Sequence, residues 1–221
     1  MKNLKAVLFD LDGTLLNSVE DLFLAWKKAF QNYKVFISKE DYFPFEGAKV
    51  IKIAEQILKK YHLDITPEKI VELKDKYYLD NHRLIFYDGA EELLIQLKEQ
   101  GVLTAVVTAS PQRKLETTIP ISFLDKFNAI ISGDDTDRGK PSPEPYLKAM
   151  ERLKVSPIEC IVVENAPLGI KSAKNSGVYC IAVATTLEEK YLQEADKIFK
   201  NILEVKEYLK NYSSINDFSS L

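Results

Sequence analysis

Cysteine is scarce in this chain, with two in 221 residues, and neither sign of charge dominates, with 30 Lys and Arg set against 33 Asp and Glu. Cys160 and Cys180 each lie in an apolar, strand-like run, Cys-Ile-Val-Val and Tyr-Cys-Ile-Ala-Val. Buried free thiols are expected there rather than a disulfide. A net charge of −3 gives no electrostatic case for nucleic acid as a main partner. No apolar stretch approaches the roughly 18 residues that a membrane span needs. The opening Met-Lys-Asn-Leu-Lys runs straight into a strand pattern, with no signal-peptide core and small-residue cleavage site. No internal repeat is visible. These absences point to a cytoplasmic protein, monomeric or weakly homodimeric, with neither a membrane nor a nucleic acid as partner. At 46% hydrophobic and 29% charged residues, the chain has ample material for one large domain or a core with a smaller insertion.

Short apolar strands are expected at 4–9, 102–108, 129–132, 160–163 and 179–183, with helical patterns at 89–100, 111–118, 144–153 and 167–176 between them. Ala90, Leu93, Leu94 and Leu97 share one helical face that Gly101 ends. Alternating strands and helices predict an α/β fold whose parallel sheet is covered on both faces. Residues 16–85 break the rhythm with three helical patterns near 19–33, 47–61 and 67–83. Leu22, Trp26 and Phe30 fall at i, i+4 and i+8, a packing face, and Thr66-Pro67 fits a helix start. The division expected is a catalytic core of 1–15 and 86–212, a helical cap of 16–85, and a polar tail of 213–221.

Four segments carry chemistry. The run Ala6-Val7-Leu8 leads into Phe9-Asp10-Leu11-Asp12-Gly13-Thr14, which puts two acids at the C-terminal mouth of a strand, where ligands bind in parallel sheets. Burying that pair without a counter-charge would cost several kcal/mol, so a cation or a proton is required. Asp10 can attack phosphorus as a nucleophile, and Asp12 can give and take a proton. Gly13 permits a tight turn that Thr14 can support. The second segment, Val106-Val107-Thr108-Ala109-Ser110, offers a hydroxyl and backbone N–H groups for phosphate oxygens, or else a helix cap. The third, Gly139-Lys140-Pro141-Ser142-Pro143-Glu144-Pro145, presents Lys140 from a proline-stiffened loop. A fixed ammonium there would neutralise the nucleophile and the transferring group. The fourth, Ile161-Val162-Val163-Glu164-Asn165, sets oxygen donors at a strand end, which suits Mg²⁺.

With these four motifs in order from Asp10 to about Val183, the chain resembles the haloacid dehalogenase superfamily of phosphohydrolases. Within it, the chain is similar to the helical-cap branch that includes phosphoglycolate phosphatases and β-phosphoglucomutases. The resemblance implies a Rossmann-like core, Asp10 as nucleophile and Asp12 as acid/base. It further implies that Thr108, Ala109 and Lys140 hold the phosphoryl group, and that Asp10, the Asp12 carbonyl, Glu164 and Asn165 bind Mg²⁺. The expected activity is phosphate release from a small phosphorylated metabolite through an aspartyl-phosphate. The alternatives are a phosphosugar mutase and a non-catalytic homologue that binds phosphate or a partner.

Two departures matter. The family's fourth motif usually ends in two acids, and Asn165 replaces the second, so weaker Mg²⁺ binding is expected. The mutases that resemble this chain carry a histidine in the first cap helix where Leu22 stands, which argues for water as the final acceptor. Neither His62 nor His82 fills that role from its position. The aromatic loop Asp41-Tyr-Phe-Pro-Phe-Glu-Gly47 either dips into the site or packs beneath the cap, and Arg83, near the return crossing, is a candidate second anion clamp.

Overall fold

The computed structural model describes residues 4–214. Six strands form one parallel sheet: β1 (Ala6–Phe9), β2 (Leu103–Val107), β3 (Ala129–Ile131), β4 (Cys160–Glu164), β5 (Tyr179–Val183) and β6 (Lys197–Phe199). Their order is β3-β2-β1-β4-β5-β6. Strands buried on both faces read as continuous apolar runs, and side-chain alternation divides each run between two cores. Val7, Phe9, Val106, Ile161, Val163 and Ile181 face one side. Ala6, Leu8, Ala105, Val107, Val162 and Cys180 face the other. Both cysteines are free and buried.

Among the described residues ten α-helices accompany the sheet: α1 (Val19–Gln31), α2 (Lys39–Tyr42), α3 (Val50–Lys60), α4 (Pro67–Asn81), α5 (Ala90–Glu99), α6 (Gln112–Thr118), α7 (Ile121–Leu124), α8 (Glu144–Leu153), α9 (Pro167–Asn175) and α10 (Ile202–Ser214). Apolar residues of α5, α6 and α10 cover the first core, and those of α8 and α9 cover the second. The architecture is the α/β one that the strand–helix alternation predicts.

Helices α1–α4 form a third cluster of their own around Trp26, Phe30, Ile57 and Ile70. The helical-face residues Leu22, Trp26 and Phe30 are all in it, so that stripe does pack. Two adjacent segments join this insertion to the sheet domain. Asn17 N donates to Ile85 O at 2.8 Å, Tyr87 N donates to Leu15 O at 2.9 Å, and Leu16 bridges antiparallel to Phe86.

The expectations missed β6 and α10 at the C-terminal end of the sheet domain. β6 is three residues long with half-exposed side chains, too short for its alternation to stand out. Residues 213–214, expected in the tail, complete the last turn of α10, and 215–221 lie outside the described residues. No described helix is long and apolar enough to cross a membrane.

Candidate active site

The strand order reverses between β1 and β4, and at such a point the connections on either side diverge and leave a crevice at the strand ends. Asp10 is the first residue beyond β1, with its N–H still donating to Val163 O at 2.9 Å. Glu164 ends β4, and Asn165 follows. The first and fourth motifs therefore stand side by side because β1 and β4 are neighbours, paired Phe9 to Val163.

The chain turns sharply after Asp10. Leu15 N and Leu16 N both donate to Leu11 O, at 3.0 and 2.9 Å, and Gly13 adopts φ +88°. A Cβ at Gly13 would stand 2.1 Å from Asn165 Nδ2, so the turn needs glycine for space as well as for backbone. Thr14, wholly buried, donates through Oγ1 to Asn165 Oδ1 at 3.1 Å.

Lys140 reaches into this crevice from the loop before α8, with its side chain 2% exposed. Its ammonium donates to Asp10 Oδ1 at 2.5 Å, Glu164 Oε1 at 2.6 Å and Val107 O at 3.0 Å, which uses all three N–H bonds. Tyr146, on α8, adds a hydroxyl donor to Glu164 Oε1 at 2.7 Å. Glu164 Oε2 accepts the backbone N–H of Asn165 at 3.1 Å and of Ala166 at 3.4 Å, at the start of α9. Both Glu164 oxygens are thus committed to Lys140, Tyr146 and the helix start, and its contribution to a cation is charge. One ammonium between two buried carboxylates does not balance them. Burial pushes Asp10 up to about 8, with Lys140 opposing and Glu164 reinforcing that rise. The same two carboxylates overcome burial at Lys140 and hold it above its ordinary value.

Asp12 sits in different company. Ser18 Oγ donates to Oδ1 at 2.6 Å, Ser110 Oγ donates to Oδ2 at 3.1 Å, and Lys114 Nζ lies 3.8 Å from Oδ2. Burial acts upward on Asp12, but Lys114 and the two hydroxyls outweigh it and hold the carboxyl below its usual range. The two acids are therefore set apart by their surroundings, Asp10 raised and Asp12 lowered, the reverse of the order that a nucleophile and a proton carrier need; positive charge beside Asp10 and negative charge beside Asp12 would each shift it back.

Thr108 Oγ1 accepts the Ser110 N–H at 3.1 Å, a turn within the loop; α6 starts two residues later behind Pro111 without a side-chain cap, so this hydroxyl does not cap the helix. Thr108 and Ala109 line one cavity together with Asp10, Asp12 and Asn165. That cavity is about 50 Å³, far below the few hundred Å³ typical of a metabolite pocket. Its roof comes from the helical insertion: Leu22 and Trp26 of α1, Tyr42 of α2, Glu46, and Lys74 of α4. The insertion is closed down on the crevice.

Three cavity residues escaped sequence reasoning. Lys74 and Lys114 read as ordinary helical surface lysines, yet Lys74 is 1% exposed and Lys114 lies with its ammonium 4.4 Å from the centre of the Tyr78 ring. Burial draws Lys114 down to about 8. Glu46 was concealed by the aromatic residues around it. That loop does dip into the crevice: Tyr42 and Glu46, 3% and 4% exposed, line it, whereas Phe43 and Phe45 pack at the margin of the third cluster. Arg83 is not a clamp on the site. It is exposed and pairs with Asp21 at 3.0 Å. His82 stacks on Tyr78 and reaches α4 carbonyls, so packing accounts for it.

The sequence pattern of the haloacid dehalogenase-like hydrolases matches residues 7–183. The chain belongs to that family. It is a hydrolase of the phosphatase type. It is 34% identical over 204 residues to validoxylamine A 7'-phosphate phosphatase of Streptomyces hygroscopicus subsp. limoneus, covering 91% of this chain and 96% of that one. It is 30% identical over 201 residues to the pyrophosphatase PpaX of Bacillus mycoides, covering 88% and 90%. The fold superposes on a β-phosphoglucomutase from Clostridium difficile with a TM-score of 0.81 at 24% identity, over 96% and 98% of the two chains.

The residues present suit a hard divalent cation. Among the described residues no three His, Cys, Asp or Glu side chains form a ready cage. Mg²⁺ asks for less: one or two carboxylates, waters and substrate phosphate. Asp10, the Asp12 carbonyl and the Asn165 amide oxygen, which also accepts from Thr14, are the donors that would hold it. Two buried carboxyls sharing the one ammonium of Lys140 are the observation that a cation would fit there.

Proposed function

We propose that this protein is a Mg²⁺-dependent phosphatase that hydrolyses a small phosphorylated metabolite through an aspartyl-phosphate on Asp10. The observation that carries the proposal is the unlike treatment of the two acids: Asp10 fixed against Lys140 at 2.5 Å, and Asp12 held by Ser18, Ser110 and Lys114.

Asp10 Oδ attacks phosphorus as the bond to the leaving oxygen breaks, and Asp12 delivers a proton to that oxygen. In the resting site Asp12 is ionised. An incoming phosphoryl group brings negative charge beside it, which favours the protonated form that the step needs. Water then attacks the aspartyl-phosphate, Asp12 takes its proton, and Asp10 is released with inorganic phosphate. Lys140 keeps its ammonium on the nucleophile and on the oxygens that gain charge. Mg²⁺, held by Asp10, the Asp12 carbonyl and Asn165, would supply further neutralisation of the phosphoryl oxygens. Because the closed cavity is far smaller than a typical metabolite pocket, the cap opens for entry and closes to exclude water.

Leu22, in the roof of the cavity, supports water as the acceptor rather than a second hydroxyl of a sugar phosphate. The test is phosphate release from a panel of phosphorylated metabolites with Mg²⁺, alongside Asp10→Asn. Release that the substitution abolishes supports the phosphatase. Isomerisation without release would replace it with the mutase, and silence across the panel would point to a binding protein.

A further inference from the structure

The fourth motif ends in an amide where the family sets a second acid, and a carboxylate meets that amide from the cap. Glu46 Oε1 accepts from Asn165 Nδ2 at 2.6 Å, and Thr186 Oγ1 lies 3.4 Å from the same oxygen. Glu46 Oε2 is buried with no hydrogen-bond partner, one of two such side-chain atoms among the described residues. An unpaired carboxylate oxygen in such a place is costly unless something charged or protic completes it.

The position of Glu46 is set by its neighbours on both sides. A 3₁₀ turn, Phe43–Phe45, precedes it, and the Phe43 carbonyl accepts the Glu46 N–H at 3.1 Å. Gly47 follows, close enough that a Cβ there would lie 3.8 Å from Lys140 Cδ and 3.9 Å from Ala166 Cβ. Two residues further on, Lys49 Nζ donates to the Thr136 carbonyl of the core. The loop is therefore pinned to the core at the fourth motif and at the Thr136 carbonyl. Asn165 orients the acid: its NH₂ takes one Glu46 oxygen, its own oxygen accepts from Thr14, and the second Glu46 oxygen is left without a partner, in a residue that lines the same cavity as Asp10. A carboxylate at 165 would repel Glu46 from this position.

We infer that Glu46 is the cap's contribution to the divalent-cation site. It supplies the negative charge that Asn165 lacks, by accepting from a water of the cation's hydration shell when the cap is closed. The inference rests on the Mg²⁺ requirement proposed above. Asp10 and Glu164 share the one ammonium of Lys140, and Glu46 sets a third buried carboxyl beside Asn165, so the acids gathered here outnumber that ammonium. Mg²⁺ retains several waters, so an acceptor just outside its first shell is the form of help that it can use. Because Glu46 belongs to the cap, cation binding and cap closure become linked. Whatever closes the cap tightens the cation, and the cation favours closure by the same factor. A family member with both acids in the core has no need of that link.

The test is calorimetric titration of Mg²⁺ into the metal-stripped full chain without substrate, for wild type, Glu46→Gln, Asn165→Asp and the double variant. Emission from Trp26, the chain's single tryptophan and part of the cavity roof, is followed in parallel. Glu46→Gln weakens Mg²⁺ binding by about tenfold or more. Adding Asn165→Asp to it restores affinity to about the wild-type level, because the charge has returned to the core. Mg²⁺ changes Trp26 emission in wild type and leaves it unchanged in the double variant, which binds the cation without the cap. Equal affinity in wild type and Glu46→Gln overturns the inference, as does a double variant that binds no better than Glu46→Gln. Phosphate release that needs no divalent cation would instead overturn the Mg²⁺ requirement itself, and the inference with it.

Discussion

Lys140 Nζ stands 2.5 Å from Asp10 Oδ1, with the two side chains 2% and 7% exposed. The same ammonium holds Glu164 at 2.6 Å, so one cation is shared by two acids from adjacent strands. Removing it leaves both carboxylates buried without a partner, and breaking such pairs costs about 3–5 kcal/mol. Lys140→Met is therefore expected to lose stability on that scale in urea denaturation and to release no measurable phosphate. A variant of near wild-type stability would show that the shared ion pair is unimportant to the fold.

Asp12 has a separable role. Asp12→Asn keeps one serine hydrogen bond on its remaining oxygen, lets its NH₂ donate to the other hydroxyl, and removes the proton carrier. Phosphate release should fall by about 10²- to 10⁴-fold, with little change in melting temperature. Substrates with good leaving groups, which need no protonation, should suffer least, and a comparison of aryl with alkyl phosphates measures that.

Lys74 and Lys114 line the cavity from opposite sides, one from the cap and one from the core. They fit a second anionic group on the substrate. Lys114→Gln is expected to raise KM for a doubly anionic substrate about tenfold or more and to change KM far less for a singly anionic one. Steady-state kinetics on matched pairs of substrates decides this.

Asp41 offers a pH signature in the cap, away from the chemistry. Burial acts upward on it, but hydrogen bonds from Lys60, from the Ser38 N–H and from the Tyr61 hydroxyl hold it down at about 2, against an ordinary 3.8. A depressed carboxylate stabilises the folded state above its unfolded value, and that stability fades as pH falls from about 4 towards 2. Asp41→Asn should cost about 1–2 kcal/mol at pH 7 and nothing near pH 2. Thermal unfolding across that range, on both proteins, checks the sign.

Gly169 tests the packing beneath Glu164. A Cβ added there would lie 1.8 to 2.3 Å from the Glu164 carboxylate atoms. Gly169→Ala must push Glu164 off Lys140 or move the start of α9, at about 1–3 kcal/mol. A loss of phosphate release larger than the loss of stability explains would place the effect at the ion pair.

The residues that the sequence revealed share a property: each sits at the end of a strand, or in a proline-stiffened loop, where its position in the chain already says where it points. Asp10, Asp12, Lys140 and Glu164 are of this kind. Lys74 and Lys114 are not. On a helix, a lysine that meets an aromatic ring in another domain has the same local pattern as one in solvent. Glu46 is the plainest case. Its flanking aromatics suggested contact or packing, and the acid between them became visible only once tertiary structure set it against Asn165. β6 was missed because three half-exposed residues at a sheet edge carry too little alternation to register.

The two chain crossings between the domains lie side by side and are bonded to each other, Leu15 to Tyr87 and Asn17 to Ile85. The sheet domain consequently closes its own chain path across a gap of a few ångströms, whatever occupies residues 18–84. Replacing the four-helix insertion with a short turn should leave a core that still assembles its acids and its lysine. Such a core would attack any phosphate ester that reached it, and would show how much of this enzyme's selectivity is exclusion and how much is chemistry.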